Sequence, residues 1–372
     1  MVKIVVCGDF RALYPERIKV DDTVSRILDS VDIRVCNFEA PILTSVPQAT
    51  LKSGPSLYQS PQSSEFLSKN GFDVLLLANN HIMDYGESGL RTTIESFSGK
   101  LTVGAGTAAE AYSVKTIDIN GKRIGFLSLV HHEYGVLEGI KDPGIGAAWI
   151  CSPDVTNIIR DAHTQCDILI VLPHAGVEHS AAPLPQWRLL YKKFIDWGAD
   201  AVIASHPHCP QGWEWYKDKP IYYSLGNFYF DGLGNDTLWY KSIAVELCID
   251  DGLSTKEHFL CFEKKTCLIS VDADPDIKEY LDKANMLLQD EVSYKKYLDS
   301  LCNAFWPDLE YGILRSLGGV SLEMGFKKFF RLLGCMLLGN KNKLYLHNAM
   351  QCESHRWLIE HYLSNNCNKY NK

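Results

Sequence analysis

Short apolar runs in this chain keep stopping at a group that can bind a metal or carry a proton. Residues 3–7 run into Gly8-Asp9, residues 33–36 into Asn37-Phe38-Glu39, and residues 74–77 into Ala78-Asn79-Asn80-His81. Residues 168–173 run into His174, and residues 201–204 into Ser205-His206-Pro207-His208. Runs this short and this rich in β-branched side chains read as buried strands. The endings therefore predict one sheet that presents one site at its carboxyl edge, as open α/β sheets do. His206-Pro207-His208 is the sharpest of them, because two imidazoles one residue apart reach the same small volume. A His-x-His pair alone is common on surfaces; its company gives it weight.

Up to about residue 270 such runs alternate with amphipathic stretches. The pattern predicts strands over 3–7, 33–37, 74–77, 101–103, 113–119, 123–129, 168–172, 201–204, 221–224, 242–249 and 258–263. Helices are expected over 23–30, 65–70, 86–98, 155–165 and 185–197. This alternation is that of an α/β domain with helices packed on sheets. The later strands follow one another without helices, so a second, largely antiparallel sheet is expected. From residue 276 the pattern is helical: 277–289, 292–304, 312–317, 322–338 and 349–365, punctuated by Pro307 and by glycines near 318 and 339. The expected division is an α/β domain over 1–271 and a helical C-terminal extension over 272–372.

Within that extension Phe326, Phe329, Phe330, Leu333, Met336 and Leu337 recur at helical spacing, beside Lys327, Lys328 and Arg331. Most such faces in soluble proteins are core, packed on the same chain or on a second copy. The alternative is a helix peripheral to the inner membrane, with basic anchors.

The chain has a formal net charge of −8 and no aromatic-plus-basic array, which speaks against a nucleic-acid partner. Its 12 cysteines form no C-x-x-C pair and no regular framework. Scattered thiols in a large chain favour a reducing compartment. The first residues are already strand-like, and no apolar run reaches the roughly 18–20 residues that span a bilayer. A cytoplasmic protein is the expectation.

Each ending has an ordinary structural explanation. Gly8-Asp9 is a common turn former, Glu39 a possible solvated acid, and a lone His174 after a buried strand a satisfied core group. Together they form a mixed set of carboxylates, amide oxygens and imidazoles. Such a set suits two divalent ions (Mn, Fe or Zn) rather than thiolate or all-oxygen calcium chemistry. Two ions would clamp an oxyanion and lower the pKa of water. Asp84, three residues after His81, is in reach of its ring and would fix its tautomer, leaving His81 to act as general acid. A serine nucleophile is disfavoured by the absence of G-x-S-x-G. No P-loop or dinucleotide fingerprint is present.

These residues also resemble a family. Gly8-Asp9, Asn37-Phe38-Glu39, Asn79-Asn80-His81-x-x-Asp84-x-Gly86, His174-x-Gly176-x-Glu178, Ser205-His206-Pro207-His208 and Tyr223-Ser224-Leu225-Gly226-Asn227-Phe228 stand in the order of the CapA family. These are bacterial poly-γ-glutamate capsule synthesis proteins, related to calcineurin-like metallophosphoesterases. The resemblance covers about residues 1–270. It implies a metallophosphoesterase-like two-sheet α/β sandwich flanked by helices. It also implies ligand roles: Asp9 on one metal, Glu39 bridging, Asn80 and His174 on the second, and His206 and His208 divided between the two. His81 would be the catalytic histidine. Asn79, Glu178 and Asn227 would support the ligands or touch substrate. Phe10-Arg11-Ala12 departs from the family's first motif, Ala175 replaces an aromatic residue, and the helical extension lies outside the resemblance.

The expected activity is metal-dependent hydrolysis of a phosphoester, ester or amide during synthesis of a cell-surface polysaccharide or polyglutamate. The substrate would be a small or polymer-linked anion. The alternative is a non-catalytic assembly factor of a polymer synthase that keeps a structural metal site.

Overall fold

The computed structural model of the protein describes residues 1–45, 47–232, 234, 236–317, 330 and 343–366. The described residues divide into two compact units. One comprises residues 1–50 and 56–289, the other residues 51–55 and 290–372.

The first unit is a two-sheet sandwich flanked by helices. Its larger sheet has the strand order Lys19–Val20, Leu268–Val271, Leu253–Glu263, Lys241–Ile249, Val2–Arg11, Ile33–Phe38, Val74–Leu76, Leu101–Val103, and Asn227–Phe230 also pairs with Val2–Arg11. The second sheet runs Trp213–Tyr216, Lys219–Tyr222, Ala201–Ile203, Ile168–His174, Lys122–Val130, Lys115–Ile119. A small third sheet joins Ala105–Thr107, Ile145–Ala148 and Val136–Leu137.

Strand alternation explains the layers. Ile4, Val6, Ile33, Val35 and Val74 from the larger sheet share one buried cluster with Ile124, Phe126, Ile170 and Ile203 from the second. Val5, Cys7, Cys36 and Leu75 face the other way, onto Val24, Leu28, Leu67 and Leu90 of the helices Asp22–Asp29, Gln62–Lys69 and Gly86–Ser96. A side-chain period of two makes both results necessary once one face is fixed. Pro185–Trp197 packs on the second sheet and buries Trp187, Tyr191, Phe194 and Ile195.

Two expectations are corrected. The late strands Lys241–Ile249 and Leu253–Glu263 do not found a second antiparallel sheet. They extend the first one, by antiparallel pairing of Lys241–Ile249 with Val2–Val6. The centre of the second sheet is parallel, because the helix Pro185–Trp197 carries the chain from Ile168–His174 back to Ala201–Ile203 in the same direction. The strand ends that carry the site also belong to two sheets, not one. The chain changes sheet between Lys219–Tyr222 and Asn227–Phe230, and this brings the two carboxyl edges together.

The helix Pro275–Gln289 belongs with the sandwich. Its Ile277 and Leu281 enter the inter-sheet cluster, and Tyr280 Oη donates to the Pro210 carbonyl at 3.1 Å. The compact unit therefore closes at Gln289 rather than near residue 272. In the second unit Glu291–Leu317, Lys343–Gln351 and Glu353–Asn366 pack on one another, with Trp306 stacked on Tyr362 at 4.1 Å. Pro307 does not end its helix; it sits inside Glu291–Leu317. Of the apolar face predicted around 326–338, only Phe330 is among the described residues. Among the described residues no helix is long and apolar enough to cross a membrane.

Candidate metal centre

The first strand delivers Asp9 to the site through a bulge. Cys7 pairs with Cys36 and Asp9 with Asn37, so Gly8 is an extra residue in the ladder. The insertion inverts the alternation. Before it, odd residues Val5 and Cys7 face the helices; after it, even residues Phe10 and Ala12 do. Asp9 and Arg11 thereby leave the strand on the opposite side. Gly8 is required here, because a Cβ would stand 1.9 Å from the Gly226 carbonyl oxygen. That carbonyl accepts from Asp9 N at 2.9 Å and leads into the pairing of Asn227–Phe230 with the end of Val2–Arg11.

Asp9 is fully buried and engaged at both oxygens. Oδ1 accepts from Asn37 Nδ2 at 2.7 Å, and Oδ2 accepts from His206 N at 3.3 Å and lies 3.5 Å from His208 Nδ1. Asn37 Nδ2 also meets His174 Nδ1 at 3.2 Å. His174 Nε2 lies 3.1 Å from Asn80 Oδ1 and 3.1 Å from His206 Nδ1. His206 and His208 hold φ values of 106° and 56°, a region costly for residues with a Cβ and commonly retained at functional sites.

Glu39 occupies the other flank. Its backbone is tied down: N donates to the Phe10 carbonyl at 3.0 Å and O accepts from Gln59 Nε2 at 3.2 Å. Its carboxylate is fully buried, and neither oxygen has a hydrogen-bond partner. His208 Nε2 stands 3.5 Å from Oε1, and His81 Nε2 4.0 Å. His81 Nδ1 meets Asp84 Oδ2 at 2.7 Å, and that same oxygen accepts from Leu57 N at 2.7 Å.

The tautomer of His208 follows from Asn227. Asn227 Nδ2 donates to the carbonyls of His208 and Trp239 at 3.2 and 3.0 Å, which can only accept. Its Oδ1 is then the acceptor for His208 Nδ1–H at 2.9 Å. The lone pair of His208 Nε2 is left facing Glu39. Asn79 also supports rather than reaches out: Nδ2 donates to the Phe38 carbonyl at 2.9 Å and Oδ1 accepts from His81 N at 3.3 Å. Glu178 is exposed, yet close enough for its charge to act on Glu39.

Burial, followed by the neighbouring imidazoles, pushes His174 and His206 well below the usual histidine range, so both are neutral at pH 7 as ligands must be. Burial, reinforced by Asp9, pushes Glu39 well above the carboxylate range. One ligand atom each from Asp9, Glu39 and His174 lies within 4.8 Å of the others. An orphaned buried carboxylate among neutral imidazoles and an amide oxygen fits a divalent cation, which would supply the missing partner.

The strand ends bring Asp9, Glu39, Asn80, His81, Asp84, His174, His206 and His208 together, with Asn79 and Asn227 behind them. Three further residues were not among the predicted site residues. Asn37 bridges Asp9 and His174. His131 is buried with its ring 4.4 Å from that of His206; it follows Lys122–Val130 as the candidate residues follow their strands. Arg11 is re-aimed by the bulge.

A family model for the bacterial capsule synthesis protein PGA_cap matches residues 17–232. The chain belongs to this family. The matched span holds every candidate above except Asp9 and Arg11. Among PGA_cap relatives, the capsule biosynthesis protein CapA of Bacillus anthracis is 32% identical over 219 residues, covering 56% of this chain and 53% of that protein. The PGA biosynthesis protein CapA of Bacillus subtilis is 31% identical over 214 residues, covering 56% of each. The chain thus spans about half the length of these curated relatives. Among solved structures, the NAD nucleotidase of Haemophilus influenzae superposes with a TM-score of 0.41 at 11% identity, over 80% of this chain and 59% of that one.

Proposed function

We propose that this member of the capsule synthesis family is a metal-dependent hydrolase that acts in making a cell-surface polymer, a polysaccharide or polyglutamate. The observation that carries the reading is Glu39, a fully buried carboxylate without a hydrogen-bond partner, faced by His208 and His81. Asn80, His174 and His206 would hold one divalent ion (Mn, Fe or Zn), and Asp9 and His208 the other, with Glu39 between them. Bound there, the two ions would supply charge for an oxyanion and acidify water.

The rest is the work of this chain's side chains. Asp84 orients His81 through Nδ1 and leaves Nε2 toward the Glu39 side, where it would hand a proton to the leaving group. Asn227 keeps His208 in the tautomer that presents Nε2. Asn37 fixes Asp9 against His174. The apolar walls of both sheets exclude bulk water from the ligands.

The test is turnover by the full chain, loaded in turn with Mn, Fe or Zn, of an aryl phosphoester, an aryl carboxyl ester and a γ-glutamyl anilide. Turnover of at least one substrate is expected, abolished by chelator and by His81→Ala. A protein that binds metal fully and turns over none would instead be an assembly factor with a structural metal.

A further inference from the structure

Arg11 lies two residues beyond Asp9, on the same side of the strand, and is only 8% exposed. A guanidinium cannot shed its proton, so a buried one needs counter-charge or saturation with acceptors. Arg11 makes no ion pair among the described residues and its acceptors do not saturate it, although the Asp231 carboxylate is the first of the charges that act on it. Nε donates to the Tyr58 carbonyl at 3.2 Å and Nη1 to the Asp231 carbonyl, while no ion pair forms and Nη2 has no hydrogen-bond partner. The carboxylate of Asp231 is already used: Oδ2 accepts from Leu13 N at 2.7 Å and Tyr14 N at 3.3 Å, and Oδ1 from Tyr229 Oη at 2.9 Å.

What surrounds the cation points to a ligand. Asp231 is the first of the groups that its charge reaches, followed by Tyr58, Glu39 and Tyr85. Tyr58 and Tyr85 are half-buried, their rings meet edge-on at 5.9 Å, and neither hydroxyl has a hydrogen-bond partner among the described residues. Tyr85 directly follows Asp84, the partner of His81.

We propose that Arg11, flanked by the Tyr58 and Tyr85 hydroxyls, holds an anionic group of the substrate, a carboxylate or phosphate, beside the Glu39–His81 edge of the site. This deepens the hydrolase reading and rests on it for the word substrate. Arg11 binds and positions; the proton belongs to His81.

The test is calorimetric titration of the Mn-loaded full chain with an oligo-γ-glutamate and, separately, with inorganic phosphate. Arg11→Gln should keep metal content and weaken at least one Kd roughly 10- to 100-fold, with part recovered in Arg11→Lys. Weakening confined to the oligomer identifies a carboxylate, and weakening confined to phosphate a phosphoryl group. Unchanged Kd values with metal retained, or a wild-type chain that binds neither anion, overturn the proposal. If Arg11→Gln does not fold, Tyr58→Phe combined with Tyr85→Phe removes only the hydroxyls. That pair should cost roughly 2- to 10-fold, and an unchanged Kd would overturn the proposal equally. A wild-type chain that binds an anion through Arg11 yet turns over no substrate sinks the hydrolase reading and leaves the anion site standing.

Discussion

Glu39→Gln should move stability in opposite directions with and without metal. The wild-type carboxylate is held by its backbone in a buried place where neither oxygen has a hydrogen-bond partner. An unsatisfied buried polar group costs about 1–3 kcal/mol, and more when charged. A neutral amide of nearly the same shape relieves much of that, so in chelator the variant should be more stable by about 1 kcal/mol or more. For a unit of this size each kcal/mol moves Tm by about 2–4 °C. The gain should depend on pH with a definite sign. Burial raises the folded pKa of Glu39, so nothing is lost below the unfolded value, and wild-type stability falls as pH climbs from about 4.3 toward the raised folded value. The advantage of Glu39→Gln should thus be absent near pH 4 and grow toward neutrality. With metal at a hundred times its Kd the wild type gains about 2.7 kcal/mol, and the variant should lose most of that. Thermal melts in EDTA and in Mn between pH 4 and 7.5 read both effects. A variant less stable than wild type in EDTA, with the metal-induced shift intact, would refute the reasoning.

Three further outcomes follow from the same geometry. His81→Ala should keep both metals and lose about 10²- to 10⁴-fold in rate, measured by elemental analysis beside turnover; an emptied site would make His81 a ligand instead. Asn227→Leu removes the acceptor that fixes the His208 tautomer and should weaken metal affinity about 10- to 100-fold without unfolding the chain, as read by competition with a chromogenic chelator. Away from the site, burial works to raise the pKa of Glu214, but the Arg188 fork at 2.8 Å and Lys192 at 3.1 Å outweigh it and hold the pKa at about 2. Its contribution, on the order of 2–3 kcal/mol, should be complete above the unfolded pKa and disappear as pH falls toward 2. Urea titrations of Glu214→Gln should show a deficit at pH 7 that shrinks in acid.

The candidate site residues were legible because burial leaves little freedom at the end of an apolar strand. A strand that cannot be exposed must set its last polar group at a sheet edge, and Asp9, Glu39, Asn80, His174, His206 and His208 all obey. Periodicity does not say which sheet a strand joins, so the late antiparallel strands were assigned to the wrong one, and the pairing of two edges went unseen. The bulge at Gly8 was equally hidden. One inserted residue reverses which neighbours of Asp9 face the site, and only the ladder with Ile33–Phe38 reveals it. Arg11 therefore read as a break in a motif rather than as a side chain beside Glu39. His131 was missed for a plainer reason: it also follows an apolar strand, and the same rule applied to residues 124–130 would have found it. Pro307 shows the opposite limit, a helix breaker by local chemistry that sits inside a long helix.

Anomalous diffraction from crystals of the full chain grown with Mn, recorded on either side of the metal edge, tests the metal centre most directly. Two peaks roughly 3.5–4 Å apart are predicted, one coordinated by Asn80, His174 and His206, the other by Asp9 and His208, with the Glu39 carboxylate between them. A fully ordered site with no anomalous peak, or peaks that leave both Glu39 oxygens without a metal, would contradict the account.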